Sequence, residues 1–412
     1  MKIETGMNRK TFALLICTLL LIACTENRNT FVSENVDFAA AQTRLMLEKT
    51  GAPTGKNYPR TMNNEGKLVT TDMYDWTPGF FPGSLWYLYE LTGDNYWRDE
   101  AAKWTHSLEP LKTFTGHHDL GFMMYCSYGN ALRLDPKPEY KDILIRSAES
   151  LSTRFDERTQ VIKSWNSYSS WDREYRGSYP VIVDNMMNLE MLFAASRLSG
   201  DPRFYDIAVR HANTTIKSHF REDYGTYHVV DFDTISGQPA FRGTAQGYSD
   251  NSTWSRGQAW IIYGFTMMYR ETQDVTYLNV AKEAADYFLA NLPEDMIPVW
   301  DFNVGQEGYE PGQYSYATEF KEKLRDASAG AITCSALFEL GEHTKDMKYT
   351  DSAIRMLHSL ASPQYRAALG ENSDFLIMHC VGSIPHKSEI DKPLVYADYY
   401  FLEALTRYKK LQ

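Results

Sequence analysis

The sequence predicts an all-α fold, a closed ring of six helical hairpins. Three observations point to it: a helix-start pattern that repeats along the chain, an apolar helical stretch upstream of each copy, and terminal helices apolar enough to pack on each other. The pattern is Asp-x-x-aromatic-x-x-x-Ala, at Asp94/Trp97/Ala101, Asp201/Phe204/Ala208, Asp274/Tyr277/Ala281 and Asp346/Tyr349/Ala353, with a degenerate copy around Tyr140 and Leu144. Asp before a helix accepts the orphan backbone N–H groups of its first turn, and residues four apart share a face. The anchors Trp97, Tyr140, Phe204, Tyr277 and Tyr349 are spaced by 43, 64, 73 and 72 residues.

Partner helices are expected over 84–91, 185–198, 257–269 and 330–340, each joined to the next copy by a short turn. A sixth hairpin can be assembled from an N-terminal helix over 36–49 and a C-terminal one over 397–409. An open solenoid is the competing architecture. Long polar inserts after the Tyr140 and Phe204 helices and the apolar termini favour closure, with the inserts on one rim. Within them, 224–241 alternates at period two and reads as a small rim hairpin.

The N-terminus is expected to direct export. Arg9 and Lys10 precede an apolar run over 12–23 that is short for a membrane span and reads as the core of a signal peptide. It ends Leu21-Ile22-Ala23-Cys24, which resembles a bacterial lipobox, so Cys24 is expected to be the lipidated first residue of the mature chain. An ordinary cleavable signal is the alternative. The expected organisation is a signal peptide over 1–23, a polar tether over 24–35 and one domain over 36–412, held by lipid in the periplasm or at the outer membrane. Membrane attachment is expected through that lipid alone.

Composition narrows the partners. The formal charge of −11 and the lack of a basic run argue against nucleic acid. Cys126, Cys334 and Cys380 show neither zinc-ligand nor disulfide spacing and read as packing residues. The chain holds 9 Trp, 28 Tyr and 20 Phe, rings that stack on sugars but also fill large helical cores.

Four clusters stand where inner helices should begin, and helix starts around one rim converge on a central cavity. They are Asp75-Trp-Thr-Pro-Gly-Phe-Phe-Pro-Gly-Ser-Leu-Trp86, His117-His-Asp-Leu-Gly-Phe122, Val183-Asp-Asn-Met-Met-Asn-Leu189, and Gln246-Gly-Tyr-Ser-Asp-Asn-Ser-Thr-Trp-Ser-Arg-Gly-Gln-Ala-Trp260. Together with the terminal Tyr-Ala-Asp-Tyr-Tyr-Phe-Leu-Glu-Ala-Leu, they resemble the unsaturated glucuronyl hydrolases of glycoside hydrolase family 88. The resemblance runs from about residue 40 to the C-terminus. It implies an (α/α)6 barrel, in agreement with the six hairpins, and no metal or organic cofactor.

By that resemblance Asp184 is the general acid/base and Asp119 the second essential carboxylate, with His118 supporting Asp119. Trp76 would stack on the sugar, and His228, Gln246, Trp254 and Arg256 would line the subsite for a 4,5-unsaturated uronate at the end of a lyase-generated oligosaccharide. The residue types suit the chemistry. Such a uronate is an enol ether, so a proton delivered to C4 creates an oxocarbenium-like C5 that water attacks. One carboxyl can perform both proton transfers if burial or a neighbouring carboxylate raises its pKa.

Each assignment has a plainer alternative. Asp184 and Asp119 could be helix N-caps, Trp76 and Trp254 core aromatics, and Arg256 the partner of a structural carboxylate. Lys387 and Lys392 could contact a sulfate, but are read as solvated. At the level of function, the alternatives are an unsaturated rhamnogalacturonyl hydrolase acting on pectin fragments and a sugar-binding lipoprotein without catalysis.

Overall fold

A computed structural model describes residues 9–411, with side chains from Arg28 onward. The side chain of Cys24 and most of the expected signal peptide therefore lie outside the described residues. The ring is closed. Its inner wall is formed in turn by α2 (Phe80–Thr92), a broken helix made of α4 (Leu120–Met124) and α5 (Asn130–Leu134), α7 (Leu189–Ser199), α9 (Ser255–Thr272), α11 (Ala327–Thr344) and α13 (Val395–Lys410). The last packs back on α2. Outside them lie α3 (Asn95–His106), α6 (Pro138–Ser152), α8 (Pro202–His219), α10 (Val275–Ala290), α12 (Met347–Leu360) and α1 (Arg9–Thr50).

The repeated pattern does what its chemistry requires. Asp94, Asp201, Asp274 and Asp346 each accept the backbone N–H two residues on, at 2.8–2.9 Å. Trp97, Tyr140, Phe204, Tyr277 and Tyr349 are all buried. The inner helices α2, α9, α11 and α13 start a few residues before the expected positions. In α2 the cause is Pro82, which is tolerated in a first turn because its missing N–H has no helical partner there. In α11 it is Asp326, whose carboxylate caps the N–H groups of Ser328 and Ala329.

Two boundaries differ from expectation. Residues 183–188 form a 3-10 turn ahead of α7, so that inner helix begins at Leu189 and not at 185. The positions expected to form the end of a tether, 28–35, belong to α1. Phe31 packs against the His358 ring of α12 and the Tyr408 ring of α13, and Val32 is buried beside it, so the packed domain begins ahead of residue 36.

Half-way down the ring the axis is filled. Phe80, Phe122, Trp260 and Tyr400 converge from four inner helices with ring centroids 5.0–6.1 Å apart. The far mouth is lined by ion pairs: Arg270 bonds Glu190 and Glu339, and Arg407 reaches Glu339 at 2.6 Å. The near rim carries the inserts. A three-stranded antiparallel sheet contains Val229–Phe232 and Pro239–Gly243, the expected rim hairpin, plus Pro180–Ile182, too short for alternation to announce. A second hairpin pairs Cys380–Ser383 with Ser388–Lys392.

Candidate active site

Asp119 stands at the N-cap position of α4, yet its side chain makes no capping bond. Its oxygens face two histidines instead. His117 Nδ1 lies 3.0 Å from Oδ2, and His118 Nε2 lies 3.2 Å from Oδ1. Burial alone would raise its pKa, but the two imidazoles more than offset this and hold it below the usual carboxylate range. His118 is itself fully buried, which pushes it down to about 4, so it faces Asp119 as a neutral ring. His117 is the more basic partner. Burial opposes its charge, but Asp119 raises it overall, and its Nε2 sits 3.1 Å from the Tyr74 carbonyl.

The second carboxyl is brought close by a tight helix contact. A Cβ on Gly121 would lie 2.4 Å from Asn188 Cα, so only glycine lets α4 meet the 183–188 turn at this separation. Asn188 fixes the contact by accepting the Phe122 N–H at 3.1 Å. Asp184 lies on that turn, whose N-cap position is taken by Ile182; it too is no cap. Its carboxyl is buried and its Oδ2 has no hydrogen-bond partner among the described residues. Burial, and then the charge of Asp119, raise its pKa to about 7 against a smaller opposing pull from Arg256. Two carboxyls thus sit in one site with their proton affinities driven apart, the arrangement that separates a proton-bearing acid from a permanent anion.

His228 is placed by the rim sheet, its carbonyl accepting the Val183 N–H at 3.1 Å. Its Nδ1 accepts the backbone N–H groups of Ala245 and Gln246, both at 3.2 Å. The ring proton therefore resides on Nε2, which points towards Asp184 Oδ2 at 3.8 Å. Burial holds this imidazole neutral well below its ordinary pKa.

Beside these groups opens a cavity of about 630 Å³ with Trp76, Gln246 and Arg256 in its wall; His118, Asp119, Asp184 and His228 are not themselves among its wall residues. Trp76 is half-buried against Phe122 and Tyr396 and presents the rest of its ring to the cavity. Gln246 is tied by its side chain to the Gly382 carbonyl at 3.3 Å. Arg256 reaches the wall, but it also forms the structural pair that was its alternative reading. It pairs with Asp326 at 2.9 Å and donates to the carbonyls of Val381 and Gly382. This clamps the 380–392 hairpin onto α9 and α11. Trp254 is buried between His228 and Arg256, 4.5 Å from the first ring and 4.4 Å from the guanidinium carbon. It orders both neighbours and is not among the cavity-wall residues.

Several contributors were not singled out by sequence. His117 was inside a recognised cluster, but nothing in its spacing separated it from His118. Trp165, whose ring is 6.3 Å from that of His228, lies in an insert with no helical period. Arg60 lines the cavity beside Trp76 and bonds both Asp75 and Glu389; the second partner is 329 residues away.

The model of Glycosyl Hydrolase Family 88 matches residues 53–409. The chain belongs to this family. It is 45% identical over 365 residues to an unsaturated glucuronyl hydrolase of Formosa agariphila, covering 87% of this chain and 86% of that protein. Among solved structures it resembles an unsaturated glucuronyl hydrolase specific for heparin, with 42% identity, a TM-score of 0.83 and coverage of 92% of this chain and 97% of the other. A second such enzyme, from Bacillus sp. GL1 and responsible for the degradation of glycosaminoglycan, gives 30% identity and a TM-score of 0.81 over the same shares. The ring of six hairpins expected from the repeats, and the family 88 barrel implied by the resemblance, are thus observed, and the chain is a glycosidase.

Proposed function

We propose that this family 88 enzyme removes a terminal 4,5-unsaturated glucuronate from lyase-generated glycosaminoglycan fragments by hydrating the C4=C5 bond. The observation that carries the reading is the pairing of Asp184, raised to about 7, with an Asp119 held ionised beside it. Asp184 gives its proton to C4 as the C4=C5 electron pair forms the C–H bond, leaving oxocarbenium character at C5. Asp184, now a carboxylate, takes a proton from the water that attacks C5. The resulting hemiketal opens to a ketone, and the hemiacetal left at C1 releases the aglycone. His228, with its proton on Nε2, faces the Asp184 carboxyl at 3.8 Å, and Trp76 supplies an apolar face for the sugar ring. Relatives described as specific for heparin or responsible for glycosaminoglycan degradation support the choice of substrate class.

Turnover of an unsaturated disaccharide in heavy-oxygen water tests the chemistry. The label is expected on C5 of a keto product, with the absorbance of the double bond consumed. A product that keeps its double bond and carries label at C1 would show displacement at the anomeric carbon and sink the hydration reading.

The same proposal includes attachment at Cys24, supported by the Leu21-Ile22-Ala23-Cys24 run and placing the enzyme in the periplasm or at the outer membrane. Cys24→Ser is expected to move the protein out of the membrane fraction. If the processed variant stayed there, the lipid anchor would be wrong.

A further inference from the structure

The outer part of the cavity is walled by inserts rather than by barrel helices. Residues 170–173 are laced to 312–315: Tyr314 donates its N–H to the Trp171 carbonyl at 3.1 Å, and Gln313 donates to Asp172 Oδ1 at 2.8 Å. Trp171 is pinned inward, its indole N–H on the Ala245 carbonyl at 3.0 Å and its ring 4.8 Å from that of His386. The lacing leaves Arg173 at the lip with its guanidinium carbon 3.8 Å from the centroid of the Tyr314 ring.

Three arginines line this cavity, and they differ in what already neutralises them. Arg60 is bonded to Asp75 and Glu389, and Arg256 to Asp326. Arg173 has no ion-pair partner among the described residues; the neighbouring Asp172 carboxylate is turned to the Gln313 N–H. Burial lowers the pKa of His386, so it adds no standing charge. Arg173 also holds a φ of +62°, a left-handed conformation that favours glycine and that a long side chain occupies at some cost. A cation kept exposed, stacked on an aromatic shelf and held in a strained turn, is presented to something outside the chain.

Resting on the proposed function, we propose that Arg173 on its Tyr314 shelf receives a sulfate ester carried by the hexosamine next to the unsaturated uronate. With the uronate down beside Asp184, the following sugar lies at the lip, where this guanidinium offers parallel N–H donors to a tetrahedral anion. Tyr314 restrains the side chain from below and reduces the freedom lost on binding.

The test compares matched unsaturated disaccharides, with and without a hexosamine sulfate, on the full-length enzyme. The wild type is expected to favour the sulfated member in kcat/KM. Arg173→Gln should lower kcat/KM for it by about 10-fold or more, the scale of a lost hydrogen bond to a charged group, while leaving the unsulfated member within about twofold. Arg173→Lys should retain part of the preference, and raised salt should erode it. Equal losses on both substrates, an unchanged sulfated rate, or a wild-type preference for the unsulfated member would each overturn the proposal. Failure of the wild type on both disaccharides would instead overturn the substrate class, and this subsite with it.

Discussion

Asp184→Asn should lower turnover by about 10²- to 10⁴-fold, because it keeps the size of the carboxyl but removes the transferable proton. Binding should survive, since the cavity wall that includes Trp76 and Arg256 is untouched. Stability should change in the opposite sense to activity. The folded-state pKa of Asp184 is raised, so its contribution to stability is fully present below the ordinary carboxylate value and is lost as pH rises through about 7. Asn has no charge to bury. The variant should therefore melt above the wild type at pH 8 and close to it at pH 4. A helix cap predicts the reverse, a loss of about 0.5–2 kcal/mol with activity per folded molecule intact. Single-turnover rates beside melts at the two pH values decide between them, and a near-normal rate with a lowered melt would end the catalytic assignment.

Asp119→Asn should also cut turnover, and it should move the pH profile in a definite direction. On the proposed mechanism, wild-type activity requires the protonated form of Asp184, so the rate should fall as pH rises through about 7. Part of that elevation comes from the negative charge of Asp119. Removing the charge lets Asp184 ionise sooner, and the alkaline limb should shift to lower pH. His117 should lose its raised proton affinity at the same time, because Asp119 is its source. A variant with reduced rate and an unmoved limb would assign Asp119 to positioning alone.

The legible parts of this molecule were those written in local chemistry. The four Asp caps and the five anchors follow from spacing along single helices, and with the two terminal helices they were enough to count six hairpins. Asp119 and Asp184 were legible through their motif. What spacing alone left open was whether they cap helices; the missing capping bond at Asp119 and the N-cap position of Ile182 ahead of Asp184 answer this for both. Long-range pairing stayed hidden. The Arg256–Asp326 clamp spans 70 residues, Arg60 finds Glu389 across most of the chain, and Trp165 approaches His228 from a loop without period. Such contacts exist only once the ring has closed, and no window of sequence contains both partners. The upstream start of the packed domain was obscured for a similar reason. Phe31 and Val32 sit in a polar, Asn-rich stretch and declare themselves only against α12 and α13.

The aromatic plug of Phe80, Phe122, Trp260 and Tyr400 makes this barrel a well and not a tunnel. No polysaccharide can be drawn through it, so a chain gives up only its terminal unsaturated sugar and must then let go. The well also fixes the sequence of departure. With the uronate bound as proposed, it enters first and lies deepest, so the shortened chain above it should clear the lip before the keto sugar can follow. The first sugar in is the last out.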